Sequence, residues 1–359
     1  MTGYGTAEGL EPTELLRTLE SALGVAVLRV EQRAVSDDPQ KRLGCNRACV
    51  VDCMTENGPR TLIIRRPLAA GTAFHDAEAI KSLFWQGRYC RGDNPRDALP
   101  ALAWIDAEDC LRALPHTGTP AIIEEYVPGT VYASLLERKG GRAAMDEEDW
   151  DCANAILGLL LNRRELPDEG NVLYAQDLVC LMSKALLITD NLHRTRQLEP
   201  REKEDIEHGL LRWRQRLLNA GRLPVRSHND FHPWNLILRP EGGVSAIDWD
   251  FPGYGERARD LGTLLPNYLY FALLKRGRFD GVCREIYRHV LNEYLCRSRD
   301  AEAADMARPF FAVACLILSH ARWYPDLSGE SRMLLRRLAL GALDEEGPGP
   351  LDLLTCGLP

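Results

Sequence analysis

The residues best equipped for chemistry lie in one stretch, 227–250, which reads SHNDFHPWNLILRPEGGVSAIDWD. It holds Asp230, Asn235 and Asp248. Two short apolar runs, NLILR and VSAID, flank PEGG and read as a hairpin. Strands of a hairpin lie about 4.8 Å apart, so its open end sets Asn235 beside Asp248. Two oxygen donors at that point suit Mg²⁺, which binds through one or two carboxylates plus substrate phosphates. Asp230, in the loop before the hairpin, stays off the metal and is placed to accept a hydroxyl proton. A competing reading takes His228, Asp230 and His232 as an H-x-D-x-H metal site, but the chain offers no matching His or Cys ligands elsewhere. An Asp near an Asn in a loop means little alone, because loops are rich in both. The three residues at the ends of a hairpin carry the argument together.

The elements that position them can be read from periodicity. A helical pattern starts at Pro12 and Thr13, carries Leu15, Leu16, Leu19, Ala22 and Leu23 on one side, and stops at Gly24. Residues 25–34 alternate as a strand. ACVVDCM and RTLIIR follow as two strands, with Asn57-Gly58 as a tight-turn signal. A helix is expected over 72–86, and a further apolar run, AIIEEYV, ends at Pro128-Gly129. From 131 to 222 and again from 257 the spacing is helical. The pattern predicts an α+β chain of two lobes: an antiparallel-sheet lobe over 1–126, a mainly helical lobe over 127–359, and a cleft between them, where ligand sites favour forming.

His228-x-Asp230-x4-Asn235 followed by Asp248 resembles the aminoglycoside phosphotransferase and choline kinase-like family, distant relatives of protein kinases. HNDFHPWN is similar to the family's H-G-D-x-H-x-x-N form, and IDWDFPGYGERARDLG to the strand and turn after its metal aspartate. The resemblance spans 25 to about 270 and is most specific over 228–262. It implies a two-lobed protein-kinase-like fold. It implies Asp230 as catalytic base, Asn235 and Asp248 on Mg²⁺, His228 bracing the loop and Asp260 bracing the turn after Asp248. In the first lobe LIIRR resembles the strand whose basic residue meets the α/β-phosphates. Here that residue is Arg65, with Arg66 as the alternative, where relatives carry lysine. Glu78 would pair with it. LGCNRACVV takes the place of the phosphate-covering loop, with Gly44 as its one glycine. IIEEYVPG resembles the hinge that binds the adenine edge through its backbone, around Glu124, Tyr126 and Val127. The implied activity moves the γ-phosphoryl of ATP or GTP to a hydroxyl of a small molecule, with an antibiotic as the leading acceptor. The alternatives are a metabolite alcohol, a peptide Ser/Thr, or nucleotide binding without turnover. The 155–166 helix reads LLNRREL where many relatives place a histidine, and Trp234 stands where small residues are common, either narrowing the acceptor side or packing the loop.

The totals set bounds. The chain has 359 residues, 45% hydrophobic and 27% charged, with a net charge of −8. That balance disfavours nucleic acid as partner, since such binding needs Lys and Arg to displace counterions. No apolar run approaches the roughly 20 residues needed to cross a membrane. Eleven cysteines without a dense framework, and no visible signal peptide, predict reduced thiols in a cytoplasm. Cys45, Cys49 and Cys53 are read as small strand residues rather than metal ligands. The acidic run DEEDWD at 146–151 is read as a solvated helix start rather than a cation-attracting patch. Glu256 and Arg257 are candidate acceptor contacts.

Overall fold

Helix α1 (Pro12–Leu23) forms on the spacing the sequence shows: Leu15 and Leu19, one turn apart, are both buried. Gly24 ends it with φ 66°, and its amide donates to the Glu20 carbonyl at 2.9 Å. The computed structural model describes residues 12–34, 46–67, 122–163, 170–248, 253–347 and 349. The chain divides into two compact units, residues 1–126 and 127–359.

In the first unit, β1 (Val27–Ala34), β2 (Asn46–Thr55), β3 (Gly58–Pro67) and β4 (Ile122–Glu125) form an antiparallel sheet in that order. The β2–β3 turn is Glu56-Asn57, with Thr55 paired to Gly58. It sits one residue earlier than the Asn57-Gly58 signal suggested. The physical reason is the Thr55 hydroxyl, which accepts from the Asn57 amide at 3.2 Å and donates to the Gly58 carbonyl at 2.8 Å. Alternate residues Val51, Cys53, Leu62 and Ile64 turn to one face and bury Leu15 and Leu19 of α1. Each such buried leucine contributes roughly 2 kcal/mol. Cys53 is thus a core side chain and Cys49 is packed against the same core, as their small size suggests. Among the described residues no group of three or more His, Cys, Asp and Glu is placed to hold a metal. The helix expected over 72–86, with Glu78 on it, and Gly44 and Cys45 of the phosphate-covering segment lie outside the described residues.

The second unit holds β5 (Thr130–Val131), α2 (Tyr132–Lys139), α3 (Glu147–Leu161), α4 (Gly170–Arg194) and α5 (Pro200–Asn219). Short strands β6 (Val225–Ser227), β7 (Leu236–Leu238), β8 (Val244–Ala246) and β9 (Gly253–Gly255) follow. Helices α6 (Arg259–Arg276), α7 (Gly281–Ser298), α8 (Ala303–Met306), α9 (Arg308–Leu318) and α10 (Gly329–Leu343) complete it. Helix α6 is apolar nearly all round, so it is the buried centre, packed against α7 and α9. Gly262 lets α9 approach: a Cβ there would lie 2.4 Å from the Ala307 carbonyl oxygen and 2.9 Å from Phe310 Cβ. The acidic run opens α3. Asp146 accepts from the Asp149 amide at 3.0 Å, Asp149 returns the bond to the Asp146 amide at 2.9 Å, and Lys139 and Arg142 neutralise both. The class is α+β, with sheet-rich and helical parts separated along the chain. Among the described residues no helix is long and apolar enough to cross a membrane.

Candidate active site

Two small ribbons hold the segment 228–235. Before it, β6 pairs with β9, Val225 with Gly255 and Ser227 with Gly253. After it, β7 pairs with β8, Leu236 with Ala246, and also with β5. Pro233, Trp234 and Asn235 form a single tight turn that feeds β7. The ladder extends one step beyond β8, to the residue before β7: the Ile247 amide donates to the Asn235 carbonyl at 2.9 Å. Asp248 follows at once, one residue past the partner of Asn235 at the hairpin end.

The Asn235 side chain ties this end to Asp230. Its Nδ2 donates to the Asp230 carbonyl at 3.0 Å and lies 3.4 Å from the Asp230 carboxylate. With its nitrogen so committed, the Asn235 Oδ1 atom is turned away from Asp230. Asp248 is half-buried, and its Oδ1 is shut off from solvent. Its φ is 63°, a left-handed conformation that Asp tolerates better than most residues but that still costs roughly 1 kcal/mol. Asn229 shares this conformation at φ 69°.

Among the described residues, the Asp230 carboxylate has His232 Nε2 at 3.2 Å, Lys184 Nζ at 3.4 Å and Asn235 Nδ2 at 3.4 Å. Burial pushes its pKa up, but Lys184, His232 and His228 outweigh that and hold it well below the usual carboxylate range. The group is therefore an anion at neutral pH.

His228 is fully buried, and burial lowers its pKa to about 4 against the opposing pull of Asp260. It is neutral, and its contacts assign the proton. Nε2–H donates to the Ile247 carbonyl at 2.8 Å, and Nδ1 accepts from the Asp230 amide at 3.3 Å. Asp260, in the first turn of α6, accepts the His228 amide at 2.8 Å and the Asn229 amide at 2.9 Å. Its described bonds go to this loop, and residues 249–252 of the turn after Asp248 lie outside the described ones. Arg163 balances its charge at 2.6 Å and lies over the Phe231 ring.

The remaining candidates fall differently. Glu256 is buried and bonded to Arg222 at 3.0 Å, so its carboxylate is committed to a structural pair. Trp234 stacks on Phe271 at 5.4 Å with Tyr270 and Tyr324 around it, so it packs the loop. The Tyr126 amide donates to the Thr61 carbonyl at 3.0 Å. Antiparallel alternation then turns the Glu124 and Tyr126 groups toward β3 and the Glu125 peptide groups to the outer edge of β4. Val127 opens the second unit and is half-buried. Arg65 lies in β3 opposite Ile122, with its side chain outside the described set, and Glu78 is outside it altogether.

Motif spacing passes over Asp177, Lys184, Arg163 and Arg259. Asp177, buried on α4, is ion-paired with Arg259 and accepts from Asn229 Nδ2 at 3.2 Å. The available signal is a charged residue inside the apolar run NVLYAQDLVCLMSKALL, repeated seven residues later by Lys184.

The model of a family described as the phosphotransferase enzyme family (APH) matches residues 95–291, more than half of the chain. No curated protein matches. Among solved structures, an ethanolamine kinase of Plasmodium vivax is similar at 15% identity and a TM-score of 0.47, over 86% of this chain and 82% of that one. A gentamicin complex of APH(2'')-IIa is similar at 14% identity and a TM-score of 0.43, over 92% and 96%. A choline kinase, LicA from Streptococcus pneumoniae, is similar at 14% identity and a TM-score of 0.40, over 92% and 98%.

Proposed function

The chain belongs to the APH phosphotransferase enzyme family, and we propose that it moves the γ-phosphoryl of ATP or GTP to a hydroxyl of a small molecule with Asp230 as the residue that receives the hydroxyl proton. Within that reading the acceptor is a hydroxylated antibiotic, as the motif resemblance implies, with a metabolite alcohol as the alternative. One observation carries the proposal: Asn235 joins Asp230 to the hairpin end, where Asp248 follows the ladder bond from Ile247 to Asn235.

Phosphoryl transfer asks for positioning and charge stabilisation more than covalent work. Asp230 is ionised, partly exposed and braced by its own loop, so it can accept a hydrogen bond from an acceptor hydroxyl and align it. Asn235 and Asp248 fit Mg²⁺. Both offer hard oxygen ligands, and the Asn235 amide is oriented by its nitrogen so that its oxygen faces away from Asp230. A bound Mg²⁺ supplies neutralisation of donor phosphate charge. His228 and Asp260 keep the two acidic segments in register without touching substrate. Arg65 is the proposed phosphate contact in the first unit, with Glu78 as its partner, and Glu124 to Val127 the proposed nucleotide edge.

The test is phosphate transfer from labelled ATP and GTP to a panel of hydroxylated antibiotics and alcohols, with Asp230→Asn as control. The variant is expected to lose about three powers of ten or more in kcat while nucleotide binding persists. Full activity in Asp230→Asn would remove the assignment.

A further inference from the structure

Helix α4 addresses the loop twice. Asp177 reaches Asn229 at 3.2 Å, and Lys184, two turns on along the same face, reaches Asp230 at 3.4 Å. The two contacts differ in kind. Asp177 is buried with Arg259 and is structural. Lys184 has 51% of its side chain exposed, and Asp230 is its one ion-pair partner among the described residues. Half-exposed pairs of this sort contribute little to folding. The ammonium therefore stands at the reacting carboxylate without being needed to hold the loop, which already has Asp260, His228 and Asn235 to fix it.

We propose, on the basis of the kinase reading above, that Lys184 is a catalytic residue of phosphoryl transfer, its ammonium meeting the transferring phosphoryl at the acceptor end of the site. An acceptor hydroxyl bonded to Asp230 lies about 2.7 Å from its carboxylate oxygen, and reacting atoms in a productive complex are about 3 to 3.5 Å apart. An ammonium 3.4 Å from the same carboxylate is thus within one side-chain movement of the phosphoryl oxygens. In the step, the acceptor oxygen forms a bond to phosphorus and its proton passes to Asp230. The bond from phosphorus to the bridging oxygen breaks, and its electron pair leaves with the nucleoside diphosphate. Lys184 keeps its proton throughout. It moves from sharing the Asp230 charge to sharing the charge of the phosphoryl oxygens, a cation already in place where charge is redistributed. His232, the other basic group at Asp230, has its ring against Trp234, whereas Lys184 is the more exposed of the two.

The experiment measures ADP or GDP formation from ATP or GTP with Mg²⁺ and water as the acceptor, for the full chain and for Lys184→Met, Lys184→Arg and Asp230→Asn. Melting temperatures are taken for all four. Lys184→Met is expected to lose at least tenfold in kcat, with KM for the nucleotide within threefold and an unchanged melting temperature, and Lys184→Arg to recover much of the loss. Wild-type turnover in Lys184→Met with an inactive Asp230→Asn overturns this inference alone. A loss in Lys184→Met that tracks a lowered melting temperature, or that Lys184→Arg does not relieve at all, also overturns it. An active Asp230→Asn, or a wild-type chain that turns over neither nucleotide, removes the kinase reading and Lys184 with it.

Discussion

His228 Nε2 lies 2.8 Å from the carbonyl oxygen of Ile247. That hydrogen bond joins the segment leading into Asp230 to the segment leading into Asp248, although the two are far apart in sequence. It requires a neutral imidazole whose other nitrogen accepts from the Asp230 amide. One ring thus sets the spacing of both acidic residues, and its protonation would cost the second bond.

Stability should therefore depend on pH through His228. Its folded pKa is about 4, below the ordinary 6.5, because burial disfavours the cation. As pH falls, the unfolded chain takes up the proton first, so this contribution is complete above about pH 6.5 and is lost toward pH 4, about 3 kcal/mol in all. Urea unfolding at pH 7 and pH 4.5 should show the wild-type chain losing about 2 kcal/mol more than His228→Gln. Parallel losses in the two proteins would show that the ring does not titrate in this way.

Asp260 should matter to stability more than any other carboxylate of the loop. It is 1% exposed and satisfies two buried amides as well as the Arg163 cation. Asp260→Ala leaves all three without that partner, a change that costs about 3 to 5 kcal/mol. A melting temperature lower by about 10 °C is expected for a protein of this size. A shift under 2 °C would mean the amides find other acceptors.

Gly255 should not accept even one methyl group. A Cβ there would lie 2.1 Å from Ser227 Oγ and 3.0 Å from Asn229 Oδ1. Those two atoms are bonded to each other, and Asn229 carries the left-handed turn into Asp230. Gly255→Ala must break that bond or spread β6 from β9, a destabilisation of about 1 to 3 kcal/mol. Activity should fall further than stability alone explains, because the displaced residue adjoins Asp230. Denaturant midpoints and kcat measured together check this. Wild-type values in both would show that Ser227 rotates freely out of the way.

Much of this architecture is legible in the sequence where a local rule governs it. Alternation in β2 and β3, three- and four-residue spacing in the helices, and the PEGG turn each predict elements that form. The pairing of Asn235 with Ile247, the residue before Asp248, follows because a hairpin makes its own ends neighbours. What stays hidden is tertiary. Arg163, Asp177 and Lys184 reach the loop only because α3 and α4 pack where they do, and no spacing rule within 228–248 points to them. The partner of Glu256 is hidden for the same reason: the residue adjoins the motif in sequence, while Arg222, which pairs with it, is remote along the chain. The bond from the Tyr126 amide to the Thr61 carbonyl is likewise set by strand register and not by any motif.

The metal proposal is best tested at Asp248, and the backbone says which substitution to use. Asp248 has φ 63°, so Ala there would add strain of about 1 kcal/mol to any loss of metal binding and confound the two. Asn tolerates the left-handed conformation nearly as well as Asp, keeps one hard oxygen and removes the charge that Mg²⁺ relies on. Asp248→Asn should therefore melt within about 2 °C of the wild-type protein and still raise the Mg²⁺ concentration for half-maximal turnover by about tenfold or more, since one lost ionic contact is worth at least 1.4 kcal/mol. A Mg²⁺ titration of nucleotide turnover at saturating ATP reads this directly. An unchanged Mg²⁺ requirement in a well-folded Asp248→Asn protein would place the ion elsewhere and leave Asn235 without its proposed partner.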